Sequence, residues 1–256
     1  MEPTMVNSAA GSHVPKVAGA ATDVGLVRHH NEDSHGMLES LGLYVVCDGM
    51  GGANGGEVAS QMAVEGFLGY VREQSAGADL SDREVRVEIL AGAVKQANLE
   101  IITRAGREPG LRGMGSTLVG SWFYDGEAVL ANVGDSRAYL VRADGLRQLT
   151  DDHSLIAEQM RLGTMTAEEA AVSPMQSVIT RALGARETVE PDFYLVEMQA
   201  GDRLLLTSDG LLRHVADDVI LATAREGTPH EACSRLVQLA REGGGSDNIT
   251  CILVQT

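Results

Sequence analysis

The sequence is short of cysteine, of positive charge and of long apolar runs, and each shortage excludes something. Three cysteines, Cys47, Cys233 and Cys251, stand among 256 residues. They have no CxxC spacing and no even-numbered disulfide framework, so they read as buried free thiols in a reducing compartment. Only 20 basic residues face 36 acidic ones, a net charge of −16. Such a surface repels nucleic acid and anionic lipid. No stretch approaches the ~18 apolar residues of a membrane span. The opening, MEPTMVNSAAGSHVPK, lacks the apolar segment of a signal peptide. The expectation is a cytoplasmic monomer with neither membrane nor nucleic acid as partner.

Chemical signatures are missing too. The seven histidines show no HExxH spacing, which argues against zinc. No cysteine is followed by arginine six residues later, so there is no Cys-x5-Arg nucleophile loop. What is present is enough chain, 44% of it apolar, for a sizeable core in one large or two small domains. Residues 1–16 read as a flexible tail and 17–256 as a single domain, with no internal repeat or low-complexity linker.

Strand-like runs recur: LGLYVVCD, STLVGSWFYDG, EAVLANVGDS, RAYLVRADG, DFYLVEM, DRLLLTSDG and NITCILVQ. Helical periodicity spans Glu57 to Glu73, with Val58, Met62, Phe67, Leu68 and Val71 near one face. A capping box, Ser81 to Glu84, is expected to open the next helix. Later helices are expected over HSLIAEQMRLG, TAEEAA, DDVILATARE and HEACSRLVQLARE. Consecutive hairpins imply antiparallel pairing. The expected class is α+β, an antiparallel β-sandwich flanked on both sides by helix pairs.

The aspartates carry the functional signal. Asp-Gly ordinarily marks a hairpin turn, and Asp125-Gly126 and Asp144-Gly145, with strand-like residues on both sides, read that way. Asp48-Gly49 and Asp209-Gly210 do not, because each ends an apolar run and no alternating strand follows. Asp135 ends a third run, Asp247 precedes a fourth, and Asp33 sits in RHHNED shortly before LGLYVV. Buried carboxylates are costly unless paired or metal-bound, and nearby cations are few, Arg28 and Arg137. An all-oxygen ligand set selects Mg2+ or Mn2+, with Ca2+ a further choice. So many acids suit a pair of ions activating a bridging water for phosphate-ester hydrolysis. The competing reading is a set of unrelated solvated aspartates in loops.

VVCDGMGGANGGEVAS at 45–60 adds five glycines within eight residues after Asp48. No lysine follows them, which excludes a P-loop, and the spacing breaks the dinucleotide fingerprint at Asn54. Flexible backbone here lets the chain pass close to an ion, with the Gly49 carbonyl as a candidate ligand.

With these residues in view the chain resembles the metal-dependent, type-2C family of Ser/Thr protein phosphatases in a compact bacterial form. Eight motifs stand in the family's order: GLVRHHNED at 25–33, VVCDGMGGANGGEVAS at 45–60, GMGSTLV at 113–119, ANVGDSRAYLVR at 131–142, LTDDHSL at 149–155, ITRALG at 179–184, DRLLLTSDGL at 202–211 and SDNIT at 246–250. The resemblance implies hydrolysis of phosphoserine and phosphothreonine on proteins by a water or hydroxide bridging two Mn2+ or Mg2+ ions. It implies that Asp48, the Gly49 carbonyl, Asp209 and Asp247 hold those ions. Asp33 would hold metal-bound water, Glu32 would support it, and Arg28 would bind the phosphoryl group. Asp135 matches an aspartate associated with a weakly held third ion. The implied partners are phosphoproteins, a Ser/Thr kinase or its targets. The alternatives are a phosphatase dedicated to one regulator, of the anti-sigma antagonist type, or a non-catalytic phosphoprotein-binding module. A mobile flap is expected over about 154–190, where SPMQS replaces the usual His-Pro-x-Arg. Met50 stands where many eukaryotic members carry a histidine, and His153 is expected to be structural.

Overall fold

The structure, a computed structural model, describes residues 17–51 and 55–256. The expected tail of residues 1–16 and part of the glycine loop, Gly52 to Asn54, lie outside the described residues. In chain order the elements are β1 (Val17–Asp23), β2 (Asp33–Leu38), β3 (Leu43–Met50), α1 (Gly55–Gln74), α2 (Arg83–Arg107), β4 (Gly115–Ser116), β5 (Leu118–Tyr124), β6 (Glu127–Val133), β7 (Arg137–Arg142) and β8 (Gly145–Gln148). There follow α3 (Leu155–Arg161), α4 (Ala167–Ala171), β9 (Asp192–Glu197), β10 (Arg203–Thr207), α5 (Asp209–Leu212), α6 (Asp217–Arg225), α7 (Pro229–Glu242) and β11 (Ile249–Gln255).

The strands form two antiparallel sheets. One runs β1-β11-β10-β7-β8, the other β2-β3-β5-β6-β9, with β4 paired to the end of β3. Side chains alternate across each strand, and both faces are covered. Leu43, Val45 and Cys47 of β3 pack with Ala59, Phe67, Leu90 and Val94 under α1 and α2. Tyr44 and Val46, between them in sequence, face the other way into the layer between the sheets, with Phe123, Leu130, Leu204, Leu206 and Ile252. Leu205, Cys251 and Leu253 pack outward against Leu211, Ile220, Leu236 and Val237 of α5, α6 and α7. Burial on both faces explains why these strands read as continuous apolar runs. The α-β-β-α sandwich is therefore the one expected, and all three cysteines are buried free thiols.

The Asp125-Gly126 hairpin is present. Tyr124 pairs with Glu127, and the turn residues have φ of 44° and 78°, the left-handed pair of a type I′ turn. The Asp144-Gly145 hairpin also forms, closed by Arg142 against Gly145. The capping box at Ser81 does not. The N-cap is Asp82, whose side chain accepts from Glu84 N. Ser81 is held instead by Asp79, whose Oδ1 accepts from the Ser81 hydroxyl at 2.6 Å and its N–H at 3.1 Å.

Candidate metal centre and phosphate site

The sheets converge on an acidic cavity at one end of the sandwich. Asp33, first residue of β2, is the register partner of Asp48 near the end of β3, which sets two carboxylates on adjacent strands. Asp48's backbone is fixed: its N–H donates to Thr117 Oγ1 at 2.9 Å, and its carbonyl accepts from Thr117 N at 2.8 Å. From the other sheet, Asp209 opens α5 two residues after the end of β10, and Asp247 stands two residues before the start of β11. Asp135 follows Gly134, whose φ of 108° turns the chain off the end of β6.

Asp48, Gly49, Asp135, Asp209 and Asp247 line one cavity of about 260 Å3 together with Arg28, Glu32, Met50, Thr117 and Arg213. Gly49 cannot be replaced without rearrangement, since an added Cβ would lie 2.0 Å from Gly56 O and 2.5 Å from Glu32 O. Beneath the cavity Asp33 is 7% exposed. Its Oδ2 accepts from Ser208 Oγ at 2.8 Å, while its Oδ1 is buried without a partner, as is Asp209 Oδ1.

Electrostatics show how poorly the acids are satisfied. Burial, reinforced by the charges of Asp209 and Asp247 and opposed by hydrogen bonds from Ser208 and Thr250, pushes Asp33 up to about 7. Burial, then the charges of Asp33, Asp209, Asp135 and Asp247, holds Asp48 well above the usual carboxylate range. Asp135 is pushed up to about 7 by burial and then by Asp209 and Asp152. Glu32 is raised by burial against the opposing charge of Arg28, and a Gly56 backbone hydrogen bond favours its ionised form.

Two arginines answer part of this charge. Arg28 Nη2 donates to Asp247 Oδ2 at 3.0 Å, with Nε 2.9 Å from Oδ1. Arg213 donates through Nε, at 3.0 Å, and through Nη2 to the same oxygen, Asp209 Oδ2. Asp209 and Asp247 are thus turned to guanidiniums. Among the described residues no three acids are gathered into a closed coordination shell. The donor set still fits hard cations: it is all oxygen, it is crowded with like charge, and two buried carboxylate oxygens are unpartnered.

Each acid expected from the sequence except buried Asp33 lines the cavity itself, and Asp33 lies beside Asp48 in the sheet. Arg137 is the exception among the expected cations. It is committed to Asp152 through Nε and Nη2 at 2.8 and 2.7 Å, and so does not serve Asp135. His153 is structural, 2% exposed, with Nδ1 accepting from Gly134 N and Nε2 facing Asp192 Oδ2, each at 3.0 Å.

Two residues escaped sequence reasoning. Arg213 reaches the site because the single turn of α5 places it four residues beyond Asp209. Asn248 stood in the SDNIT motif without a role. Its Nδ2 donates to Val24 O and His30 O at 3.0 and 2.9 Å, and its Oδ1 accepts from Glu32 N at 2.8 Å. It thereby ties the 24–32 loop, which carries Arg28 and Glu32, to the start of β11.

A family model described as protein phosphatase 2C matches residues 28–246. The serine/threonine phosphatase Stp of Listeria innocua is 41% identical over 240 residues, covering 91% of this chain and 93% of that protein. The crystal structure of the Mycobacterium tuberculosis serine/threonine phosphatase PstP superposes with a TM-score of 0.84 at 38% identity, covering 94% of this chain and 98% of that one. The PstP catalytic domain in complex with two manganese ions gives 0.82 at 36% identity, covering 94% and 97%.

Proposed function

The chain belongs to the protein phosphatase 2C family, and on that premise we propose how its own residues carry out the reaction. It is a metal-dependent protein serine/threonine phosphatase that uses Mn2+ or Mg2+. The reading as a non-catalytic binding module gives way to this one. The observation that carries the residue assignment is the convergence of Asp48, Asp135, Asp209 and Asp247 on one cavity, above a buried Asp33 with an unpartnered oxygen.

Asp48, the Gly49 carbonyl, Asp209 and Asp247 are the residues that would hold two ions, with Asp33 adjoining and Asp135 holding a third more weakly. Bound ions supply an activated water nucleophile and neutralise phosphoryl charge. Arg28 presents a planar fork to the phosphoryl oxygens. It is placed by the loop that Asn248 secures. Glu32 accepts from Gly56 and so ties the start of α1 to the 24–32 loop. Hydrolysis forms a P–O bond from water and breaks the bond to the serine or threonine oxygen, which leaves with a proton.

Residues 17–256 act as one catalytic unit, and α3, α4 and the chain to about residue 190 form its flap. The phosphatase opposes a Ser/Thr protein kinase in the cytoplasm, a placement supported by its free buried thiols; no helix among the described residues is long and apolar enough to cross a membrane. The test is turnover of a phosphothreonine peptide with Mn2+, with EDTA, and beside a phosphotyrosine peptide. Mn2+-dependent hydrolysis of phosphothreonine in preference to phosphotyrosine is expected. Equal turnover in EDTA would contradict the metal assignment.

A further inference from the structure

We propose that Arg213 is a second phosphate-binding residue, meeting the phosphoryl group of the substrate together with Arg28. The inference rests on the assignment of Arg28 to the phosphoryl group and extends it to a residue on the other sheet. Among the described residues lining the acidic cavity, Arg28 and Arg213 are the only basic ones. Both lie within ion-pair distance of a single carboxylate, although Arg213 donates hydrogen bonds to Asp209. Asp247 Oδ2 accepts from Arg28 Nη2 at 3.0 Å, and Arg213 Nε lies 3.9 Å from the same atom.

That shared oxygen limits how far apart the two guanidiniums can be. Arg28 Nη2 and Arg213 Nε are no further apart than those two lengths laid end to end. This is shorter than the span of a phosphoryl group with a charge-assisted hydrogen bond of ~2.8 Å on either side. One phosphate can therefore take both arginines. Asp247 now lies between them as an anion. A cation on Asp247 or Asp209 would compete with the arginines for the same oxygens, and each guanidinium would then need another anion.

Arg213 is also aimed rather than loose. Its Nη2 donates to Ser177 Oγ at 3.2 Å, on the flap side of the cavity, while the α5 turn anchors its backbone. The neighbouring cation, Arg137, does not line this cavity, and its fork is turned to Asp152. The competing role for Arg213 is that of a counter-ion for Asp209 and nothing more.

The two roles separate in a direct binding experiment. Inorganic phosphate and, separately, Mn2+ are titrated calorimetrically into the full chain as wild type, Arg213→Ala, Arg213→Gln, Arg213→Lys and Arg28→Ala, the phosphate titrations on Mn2+-loaded protein. The proposal predicts phosphate affinity weakened about tenfold or more in Arg213→Ala and Arg213→Gln. It predicts an intermediate value for Lys, which lacks the fork, and Mn2+ binding as tight as wild type or tighter. Wild-type phosphate affinity in the Arg213 variants with weakened affinity in Arg28→Ala would overturn the proposal and leave the reading of Arg28 standing. Wild-type phosphate affinity in all variants would overturn both. Loss of Mn2+ binding in the Arg213 variants would overturn the proposal by making Arg213 a support for Asp209.

Discussion

Asp33→Asn should stabilise the metal-free protein at alkaline pH, although it removes a carboxylate proposed to adjoin the metal ions. Asp33 is buried, one of its oxygens has no partner, and its pKa is pushed from 3.8 to about 7. An acid whose folded pKa is raised contributes stability below the unfolded value, near pH 4, and that stability is lost as pH climbs through about 7. A three-unit shift corresponds to about 4 kcal/mol at most. Relaxation of the site and imperfect accommodation of the new amide, which must find an acceptor such as Asp48, reduce this to about 1–3 kcal/mol. At ~2–4 °C per kcal/mol for a chain of this size, the variant should melt several degrees above wild type at pH 8 in EDTA. The two should converge toward pH 5. With Mn2+ the order should reverse, because saturation at ~100 times Kd gives wild type about 2.7 kcal/mol and the variant less. Thermal unfolding of both proteins at pH 5 and pH 8, with EDTA and with Mn2+, makes the comparison. A variant destabilised at both pH values in EDTA would refute the view that the buried Asp33 carboxylate, ionised without a cation, destabilises the fold.

Three further outcomes are expected. Asp135→Ala should retain two tightly bound ions and lose turnover about tenfold or more, partly restored by high Mn2+. Metal stoichiometry and kcat on one preparation decide it, with wild-type kcat reducing Asp135 to a structural residue and loss of all metal making it a central ligand. Asn248→Ala should cost about 2–4 kcal/mol, since two backbone carbonyls and an N–H lose their partner, and kcat/KM should fall because the loop carrying Arg28 loosens; full activity at reduced Tm would show that the loop is held by other means. His153 is kept neutral, its pKa lowered by burial against the opposing Asp192 bond. Its stabilising effect is complete above about pH 6.5 and is lost as pH falls toward the folded value, so the stability gap between wild type and His153→Gln should narrow from pH 7 to pH 5; a constant gap would argue against a neutral ring.

The layered sandwich was legible because its strands are buried on both faces, leaving short unbroken apolar runs such as LYVVC and the LLL of RLLLT. β1 and β2 were not legible. β1 is built of small residues, VAGAATD, and β2 is a short edge strand whose Gly36 admits Leu68 and Val64 side chains to within 2.6 Å of where a Cβ would stand. The acids stood out because carboxylates at the ends of apolar strands have few inexpensive explanations. The arginine pairing did not stand out. Arg137 is near Asp135 in sequence yet turns to Asp152, and Arg213 enters only through a one-turn helix that no periodicity reveals. The misplaced cap at Ser81 has the same origin, since neighbouring polar residues compete and Asp79 claims the serine hydroxyl first.

The most direct test of the account is anomalous diffraction at the manganese edge from crystals grown or soaked in Mn2+. Two peaks within the acidic cavity, ~3.5–4 Å apart, ligated by Asp48, the Gly49 carbonyl, Asp209 and Asp247, with Arg28 and Arg213 withdrawn from those carboxylates, are the predicted result. Guanidiniums still seated on Asp209 and Asp247, with no manganese between them, would contradict it.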